Sequence, residues 1–218
     1  MIKQLIFDCD GVLVDSEILA AQVMLEILSK YGIDISLDFY LHNCTGKTFS
    51  GSKTELSKKL NTPLPNSFLE EVTIAMDIKI KNELKPISGI HNVLENTDLP
   101  KAVVSNSDMY QIEHAIDHIN ITDHFNGHIF SSQMVEKPKP DPDVYLFAAK
   151  ELAVHPKECL VVEDSISGAT AALKAGMNVI GFVAGSHIID GHEQKLINLG
   201  VSAVAKNAEE LLSKLLQY

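Results

Sequence analysis

Short apolar runs alternate with helical patterns along most of this chain, and no other feature of the sequence constrains its fold as strongly. The apolar, β-rich runs cover residues 3–7, 102–105, 128–131, 160–163, 179–183 and 202–205. The helical patterns between the later runs cover residues 109–119, 143–152, 167–175 and 208–216. Strands that alternate with helices form a parallel sheet with helices on both faces. We therefore predict an α/β fold with a Rossmann-like, doubly wound parallel sheet.

Residues 15–85 interrupt this alternation. They contain helical patterns at 16–31, 50–60 and 67–84, no convincing strand, and a turn-rich break at 61–65. We predict an all-helical insertion over residues 15–85, and an α/β core made of residues 1–14 and 86–218. The two connections near residues 14–15 and 85–86 are the expected hinges.

Charge and composition restrict the class of partner. The formal net charge of −11 argues against nucleic acid and anionic membranes, and no stretch approaches the length of a membrane span. The 18 basic residues are all lysines, so arginine cannot hold a phosphate.

The first strand leaves no room for a secretory signal, and the three cysteines form no Cys-x-x-Cys pair. We expect a cytoplasmic protein, and a monomer.

Two aspartates follow the first predicted strand. Asp8 and Asp10 are two residues apart on an extended chain, so their carboxylates can point the same way. Ligands of parallel α/β sheets bind just beyond the carboxyl ends of the strands. Because two close carboxylates repel each other unless a cation lies between them, the pair suggests a metal site. An ordinary strand-to-turn exit is the alternative explanation for Asp-x-Asp-Gly. Cys9, between the two acids, is expected to point into the core.

Three other predicted strands also end in polar residues. Ser105 and Asn106 follow the second strand, where backbone amides at a helix start suit an anion. Lys137 lies in a segment stiffened by three prolines, and Glu163-Asp164-Ser165 ends the fourth strand. Helix caps or a solvated loop explain each of these singly. Four strand ends that together supply carboxylates, a hydroxyl and a lysine indicate one shared site.

These motifs carry a family resemblance that spans nearly the whole chain. Residues 8–17, 105–106, 137–141 and 163–165 resemble, in order, the four motifs of the haloacid dehalogenase-like (HAD) hydrolases. Within that superfamily the chain resembles the β-phosphoglucomutase and sugar-phosphatase subgroup, which has a helical cap after the first motif. The resemblance implies that residues 15–85 are this helical cap and that residues 1–14 and 86–218 are the catalytic core.

The resemblance implies a role for each acid. Asp8 would be the nucleophile that forms an aspartyl phosphate, and Asp10 the general acid and base. Mg²⁺ would lie between Asp8, the backbone carbonyl of Asp10 and Asp164, with Glu163 nearby.

The resemblance also implies a set of phosphate-binding groups. Ser105, the amide of Asn106, and Lys137 would hold the phosphoryl oxygens. Gly11 is expected beside the phosphate. In the cap, the loop of residues 45–48 resembles a substrate-specificity loop, so Lys47 is a candidate contact to the substrate.

The expected function is a Mg²⁺-dependent phosphatase that hydrolyses a small phosphate monoester, a sugar or polyol phosphate, through a phospho-aspartate. The alternatives are a β-phosphoglucomutase-type mutase and a non-catalytic binding protein. A haloacid dehalogenase is disfavoured, since those relatives lack the second acid that Asp10 provides. Mutases of that type carry a histidine and a basic residue at cap positions that here hold Ala20 and Phe49. Gly185-Ser186-His187 follows the strand that runs through Phe182 and is a candidate to border the site, although a plain loop is its simpler interpretation.

Overall fold

Six strands form one sheet in the order β3-β2-β1-β4-β5-β6, and every neighbouring pair is parallel. The computed structural model describes residues 1–218. The strands are β1 Gln4–Phe7, β2 Lys101–Ser105, β3 Ile129–Ser131, β4 Cys159–Glu163, β5 Asn178–Phe182 and β6 Ala203–Ala205. All six match predicted runs to within two residues at either end. The predicted α/β, doubly wound parallel fold is confirmed.

Ten α-helices accompany the sheet. They are α1 Ser16–Lys30, α2 Leu37–Cys44, α3 Phe49–Lys59, α4 Phe68–Glu83, α5 Ile90–Glu95, α6 Met109–His118, α7 Asp143–Glu151, α8 Ile166–Lys174, α9 His192–Leu199 and α10 Ala208–Leu215. The sequence did not predict α2, α5 and α9. The last two follow Gly89 and Gly191 without a side-chain cap, so they lack the usual starting residue.

Alternating side chains of the central strands enter two different apolar cores. On β1, Leu5 and Phe7 pack into the larger cluster, and Ile6 packs into the smaller one on the opposite face. Because the sheet is buried on both faces, these strands are continuous apolar runs rather than alternating ones. Cys9 is buried in the larger cluster, which confirms its predicted orientation.

Helices α1 to α4 lie between β1 and β2, and no strand lies among them. The two ends of this segment run side by side. The Asp15 amide donates to the Lys85 carbonyl at 2.9 Å, and the Ile87 amide donates to the Leu13 carbonyl at 3.0 Å. The division of the chain into a core and a separate cap domain stays a prediction. None of the helices combines the length and the apolar character needed to cross a membrane.

Candidate active site

A cavity of about 250 Å³ opens at the carboxyl ends of β1, β2 and β4. These three strands are neighbours in the sheet, so the residues that follow them converge on one place. We call one side the strand-end wall; it contains Asp8, Asp10, Ser105, Lys139, Glu163 and Asp164. The opposite side, the helical wall, contains Glu17, Ala20, Lys47, Thr48 and Phe49.

Asp8 and Lys139 form a buried ion pair in the strand-end wall. The Lys139 Nζ donates to Asp8 Oδ1 at 2.7 Å, to Glu163 Oε1 at 2.8 Å and to the Val104 carbonyl at 2.9 Å. Burial, and then the nearby charge of Glu163, raise the pKa of Asp8 well above its usual value. Burial alone would lower the pKa of Lys139, but the carboxylates of Asp8 and Glu163 raise it. The lysine is therefore held as a cation against the carboxylates.

The lysine of the site is Lys139, and the prediction of Lys137 is corrected. Lys137 is exposed, whereas Lys139 is 6 % exposed. Asn106 determines the difference, because its side chain clamps the backbone of Lys139. The Lys139 amide donates to Asn106 Oδ1 at 3.0 Å, and Asn106 Nδ2 donates to the Lys139 carbonyl at 3.3 Å. This clamp fixes the backbone at residue 139, whose side chain enters the site.

Both carboxylate oxygens of Glu163 are occupied by protein groups. Oε1 accepts from Lys139 and from the Tyr145 hydroxyl at 3.1 Å, and Oε2 accepts from the amide and hydroxyl of Ser165, both at 3.0 Å. Gly168 lies so close that a Cβ there would be 1.5 Å from Glu163 Oε1. The position of Glu163 near a metal stays a prediction, and these bonds make Glu163 a support for Lys139.

The carboxylates of Asp8, Glu163 and Asp164 form a buried cluster whose oxygens lie within 4.8 Å of one another. Asp8 gives one oxygen to Lys139, and Asp164 Oδ2 lies 2.8 Å from His187 Nε2. Each of these two acids therefore keeps one oxygen that a cation could bind. Burial, followed by the charge of Glu163, raises the pKa of Asp164. Concentrated carboxylate oxygens of this kind suit a hard cation such as Mg²⁺.

Asp10 is fixed by three hydroxyl groups. Its Oδ1 accepts from Ser16 at 2.6 Å, and its Oδ2 accepts from Ser107 at 2.7 Å and from Ser105 at 3.2 Å. Ser105 was predicted in the site, although here its hydroxyl is directed to Asp10. Ser16 and Ser107 were not predicted as site residues. Ser16 lies within the first motif, residues 8–17, and Ser107 directly follows the second motif, residues 105–106.

Gly11 does not line the cavity, which differs from its predicted place beside the phosphate. It has a φ of +79°, and a Cβ on it would lie 2.0 Å from Asp164 Oδ2 and 2.8 Å from His187 Cε1. The residue makes room for these two side chains instead. His187, which sequence reasoning assigned to a plain loop, is buried against Asp164, and burial lowers its pKa.

The helical wall is more open. Lys47 lines the cavity, but its Nζ donates to Glu55 at 3.0 Å and its side chain is 41 % exposed. Ala20 and Phe49, the positions compared with mutases, both line the cavity as well. Glu17 lies among them, and burial raises its pKa to about 8.

Comparison with known families identifies the chain's relatives. Residues 5–182 match the model of the haloacid dehalogenase-like hydrolases. The 6-phosphogluconate phosphatase of Escherichia coli is 29% identical over 187 residues, which cover 85% of each chain. Hexitol phosphatase B of Escherichia coli is 30% identical over 182 residues, which cover 80% of this chain and 81% of that protein.

A solved structure agrees with this assignment over the full length. A haloacid dehalogenase-like protein of unknown function from Agrobacterium tumefaciens is 32% identical and superposes with a TM-score of 0.92. The alignment covers 100% of this chain and 99% of that one. The resemblance predicted from four motifs is confirmed: the chain belongs to the haloacid dehalogenase-like hydrolases.

Proposed function

We propose that this protein is a Mg²⁺-dependent phosphatase that hydrolyses a small sugar or polyol phosphate through a phospho-aspartate at Asp8. The observation that carries the proposal is the Asp8–Lys139 ion pair, with Nζ 2.7 Å from Oδ1, in the wall of a cavity that also exposes Asp10. A carboxylate is a nucleophile, and the ammonium group beside it can stabilise the charge of a phosphoryl group.

In the first half of the reaction, an Asp8 oxygen attacks phosphorus and the ester P–O bond breaks. The departing alcohol oxygen takes its proton from Asp10, which must therefore start as the acid. The hydroxyls of Ser16, Ser105 and Ser107 hold the Asp10 carboxyl in place for this transfer. Lys139, fixed through its backbone with Nζ 2.7 Å from Asp8 Oδ1, would place its positive charge beside the phosphoryl group.

In the second half, Asp10 acts as the base. A water gives its proton to Asp10 and attacks phosphorus, and the bond between phosphorus and Asp8 breaks. Inorganic phosphate leaves, and Asp8 is again a carboxylate. Asp10 regains the proton that it gave to the alcohol, so the cycle balances.

Asp8 and Asp164 would hold the Mg²⁺, with the backbone carbonyl of Asp10 as the further protein ligand that the family pattern implies. When bound, the cation supplies charge that offsets the repulsion between the carboxylates and the phosphoryl group. Glu163 contributes indirectly, because its two oxygens hold Lys139, Tyr145 and Ser165.

The size of the cavity supports a small substrate. A cavity of about 250 Å³ accommodates a small phosphorylated metabolite. Two of the relatives are named for phosphates of gluconate and of hexitols. A sugar or polyol phosphate is the substrate class that fits both the volume and the relatives.

The helical wall favours hydrolysis over isomerisation. A mutase with a bisphosphorylated intermediate needs a cationic group for the phosphate that is distant from Asp8. Ala20 and Phe49 offer no charge, and the only lysine of that wall, Lys47, is paired with Glu55. We expect release of inorganic phosphate from sugar phosphates, and no measurable conversion of β-glucose 1-phosphate to glucose 6-phosphate with a bisphosphate primer.

The test is phosphate release from a panel of sugar, polyol and nucleotide monophosphates, measured for the wild type and for Asp8→Asn. We expect Asp8→Asn to lose turnover while keeping its fold, because an amide is not a nucleophile here. Asp123→Asn, an exposed acid outside the cavity, is the matched control and should keep wild-type activity. If Asp8→Asn kept more than about a tenth of the wild-type activity, the activation free energy would have risen by less than roughly 1.4 kcal/mol, and the assignment of Asp8 as the nucleophile would be refuted.

A further inference from the structure

We propose that His187 is a positioning residue for the metal site, which orients Asp164 so that one carboxylate oxygen faces the cation. The inference rests on the proposed function, since it takes Asp164 to be a metal ligand. It concerns a segment after β5 that contributes no residue to the cavity lining.

The contact between the two side chains is short and fully buried. His187 Nε2 lies 2.8 Å from Asp164 Oδ2, and the two side chains are 2% and 3% exposed. A polar contact between a buried imidazole and a buried carboxylate is stronger than one at the surface, since water does not compete for either partner. This contact holds Oδ2 of Asp164, and the other oxygen remains for a cation.

The surrounding backbone is shaped to admit the imidazole. A Cβ on Gly185 would lie 2.6 Å from His187 Cε1, and a Cβ on Gly11 would lie 2.8 Å from the same atom. Two glycines from distant parts of the chain thus enclose the ring. This enclosure restricts the ring to the orientation that places Nε2 against Asp164.

The backbone of Asp164 is held from the same segment. His192, the first residue of α9, places its Nε2 2.6 Å from the Asp164 carbonyl oxygen. The segment after β5 therefore fixes both the side chain and the main chain of this acid.

The approach to Asp164 is the one close polar contact that the His187 side chain makes within the protein. Its Nδ1 is buried and has no hydrogen-bond partner in the chain. Leaving a buried polar atom unpaired costs about 1–3 kcal/mol. A buried imidazole with an unpaired Nδ1 is destabilising, so its presence points to a specific role for Nε2, which contacts Asp164.

A positioned ligand matters for Mg²⁺ in particular. This ion requires near-octahedral geometry at short distances, so a carboxylate that rotates freely binds it less well. Hydrogen bonds to the ligands of a metal typically change its affinity by about 10–100-fold.

The experiment measures Mn²⁺ binding to the purified protein by electron paramagnetic resonance, with Mg²⁺ competition, for variants at position 187. His187→Leu removes the polar nitrogen at similar bulk, whereas His187→Gln places an amide nitrogen near the position of Nε2. We expect Mn²⁺ affinity to fall about tenfold or more in His187→Leu and to stay within about threefold of the wild type in His187→Gln. His128→Leu, at an exposed histidine, is the control and should bind as the wild type does.

Wild-type affinity in His187→Leu would overturn the inference, as would equal loss in the Leu and Gln variants. If circular dichroism shows that His187→Leu does not fold, His187→Asn replaces it, because its shorter amide cannot reach Asp164 Oδ2. Asp164→Asn separates the two proposals. If Asp164→Asn binds Mn²⁺ like the wild type, the proposed metal site fails; if it loses binding but His187→Leu does not, only the role of His187 fails.

Discussion

The two walls of the cavity differ in how firmly their side chains are held. In the strand-end wall, Asp8, Lys139 and Glu163 are buried, and Lys139 alone makes three hydrogen bonds. In the helical wall, Lys47 is exposed and Phe49 is half-buried. A preorganised wall suits chemistry that needs exact placement, and an open wall leaves room for different leaving groups. Under the proposed function, we expect the strand ends to determine the reaction and the segment from α1 to α4 to select the substrate.

The largest effect should separate the two lysines of the segment 136–142. We expect Lys139→Met to reduce kcat by about 10²–10³-fold, since it removes the positive charge that offsets the phosphoryl charge in the proposed mechanism. Lys137→Met, at an exposed site, should stay within about twofold of the wild type, which is the usual range for a surface change. Steady-state phosphate release by the two variants provides the measurement.

Loss of fold is the competing explanation for Lys139→Met, because it leaves Asp8 and Glu163 without their buried counter-charge. Circular dichroism and denaturant unfolding of the same samples control for this. Equal activity in both variants, or greater loss at position 137, would contradict the placement of the site lysine.

In the helical wall, the largest effect should come from Glu17. Its folded-state pKa of about 8 is above that of an unfolded glutamate, mainly because of burial. A raised acid pKa means that the folded state holds the proton more tightly, so stability falls as pH rises from about 4.5 to about 8. We expect the unfolding free energy of Glu17→Gln, relative to that of the wild type, to increase by about 2 kcal/mol from pH 5 to pH 8. This value allows for the partial exposure of Glu17.

Urea unfolding of the wild type and Glu17→Gln at pH 5, 6, 7 and 8 measures this difference. Glu70→Gln, on the exposed side of α4, is the control and should show no such trend. A difference between Glu17→Gln and the wild type that stays constant with pH would show that Glu17 titrates normally.

A smaller effect is expected for the hydroxyls that hold Asp10. Ser107→Ala removes a 2.7 Å hydrogen bond to Asp10 Oδ2, but the bonds from Ser16 and Ser105 remain. We expect kcat to fall about tenfold, equivalent to roughly 1.4 kcal/mol. Ser107→Thr retains the hydroxyl and should recover most of the rate. A Thr variant as slow as the Ala variant would mean that packing, and not the hydrogen bond, is responsible.

The smallest effect is expected for Lys47. Its contact with Glu55 is at the surface, where ion pairs contribute about 0–1 kcal/mol. We expect Lys47→Ala to change kcat/KM by less than about fivefold across the sugar phosphates that the enzyme accepts. A much larger decrease in kcat/KM, caused by a higher KM, would show that Lys47 makes a fixed charged contact with the substrate. The two walls would then differ much less in how firmly their side chains are held.

The strand-end wall was largely predictable from sequence, for a physical reason. Apolar runs identify buried parallel strands, and residues at the carboxyl ends of neighbouring strands must converge. Asp8, Asp10, Ser105, Glu163 and Asp164 all line the cavity, as that reasoning requires.

Contacts between distant segments could not be predicted in the same way. Lys137 and Lys139 both precede a proline, so local pattern cannot rank them; the clamp from Asn106, which decides between them, is a tertiary contact. His187 is 23 positions from Asp164 along the chain, and no periodic pattern joins them. The two short helices that follow glycines were missed because their stability comes from packing rather than from capping.

The central claim is that Asp8 carries the phosphoryl group, and chemical trapping tests it most directly. A substrate from the phosphatase panel is mixed with the enzyme, the reaction is quenched within the steady state, and borohydride is added to reduce any acyl phosphate. We predict homoserine at position 8 in the peptide map, dependent on substrate and absent from Asp8→Asn. Continued turnover with position 8 unmodified, or modification at Asp10 instead, would contradict the account.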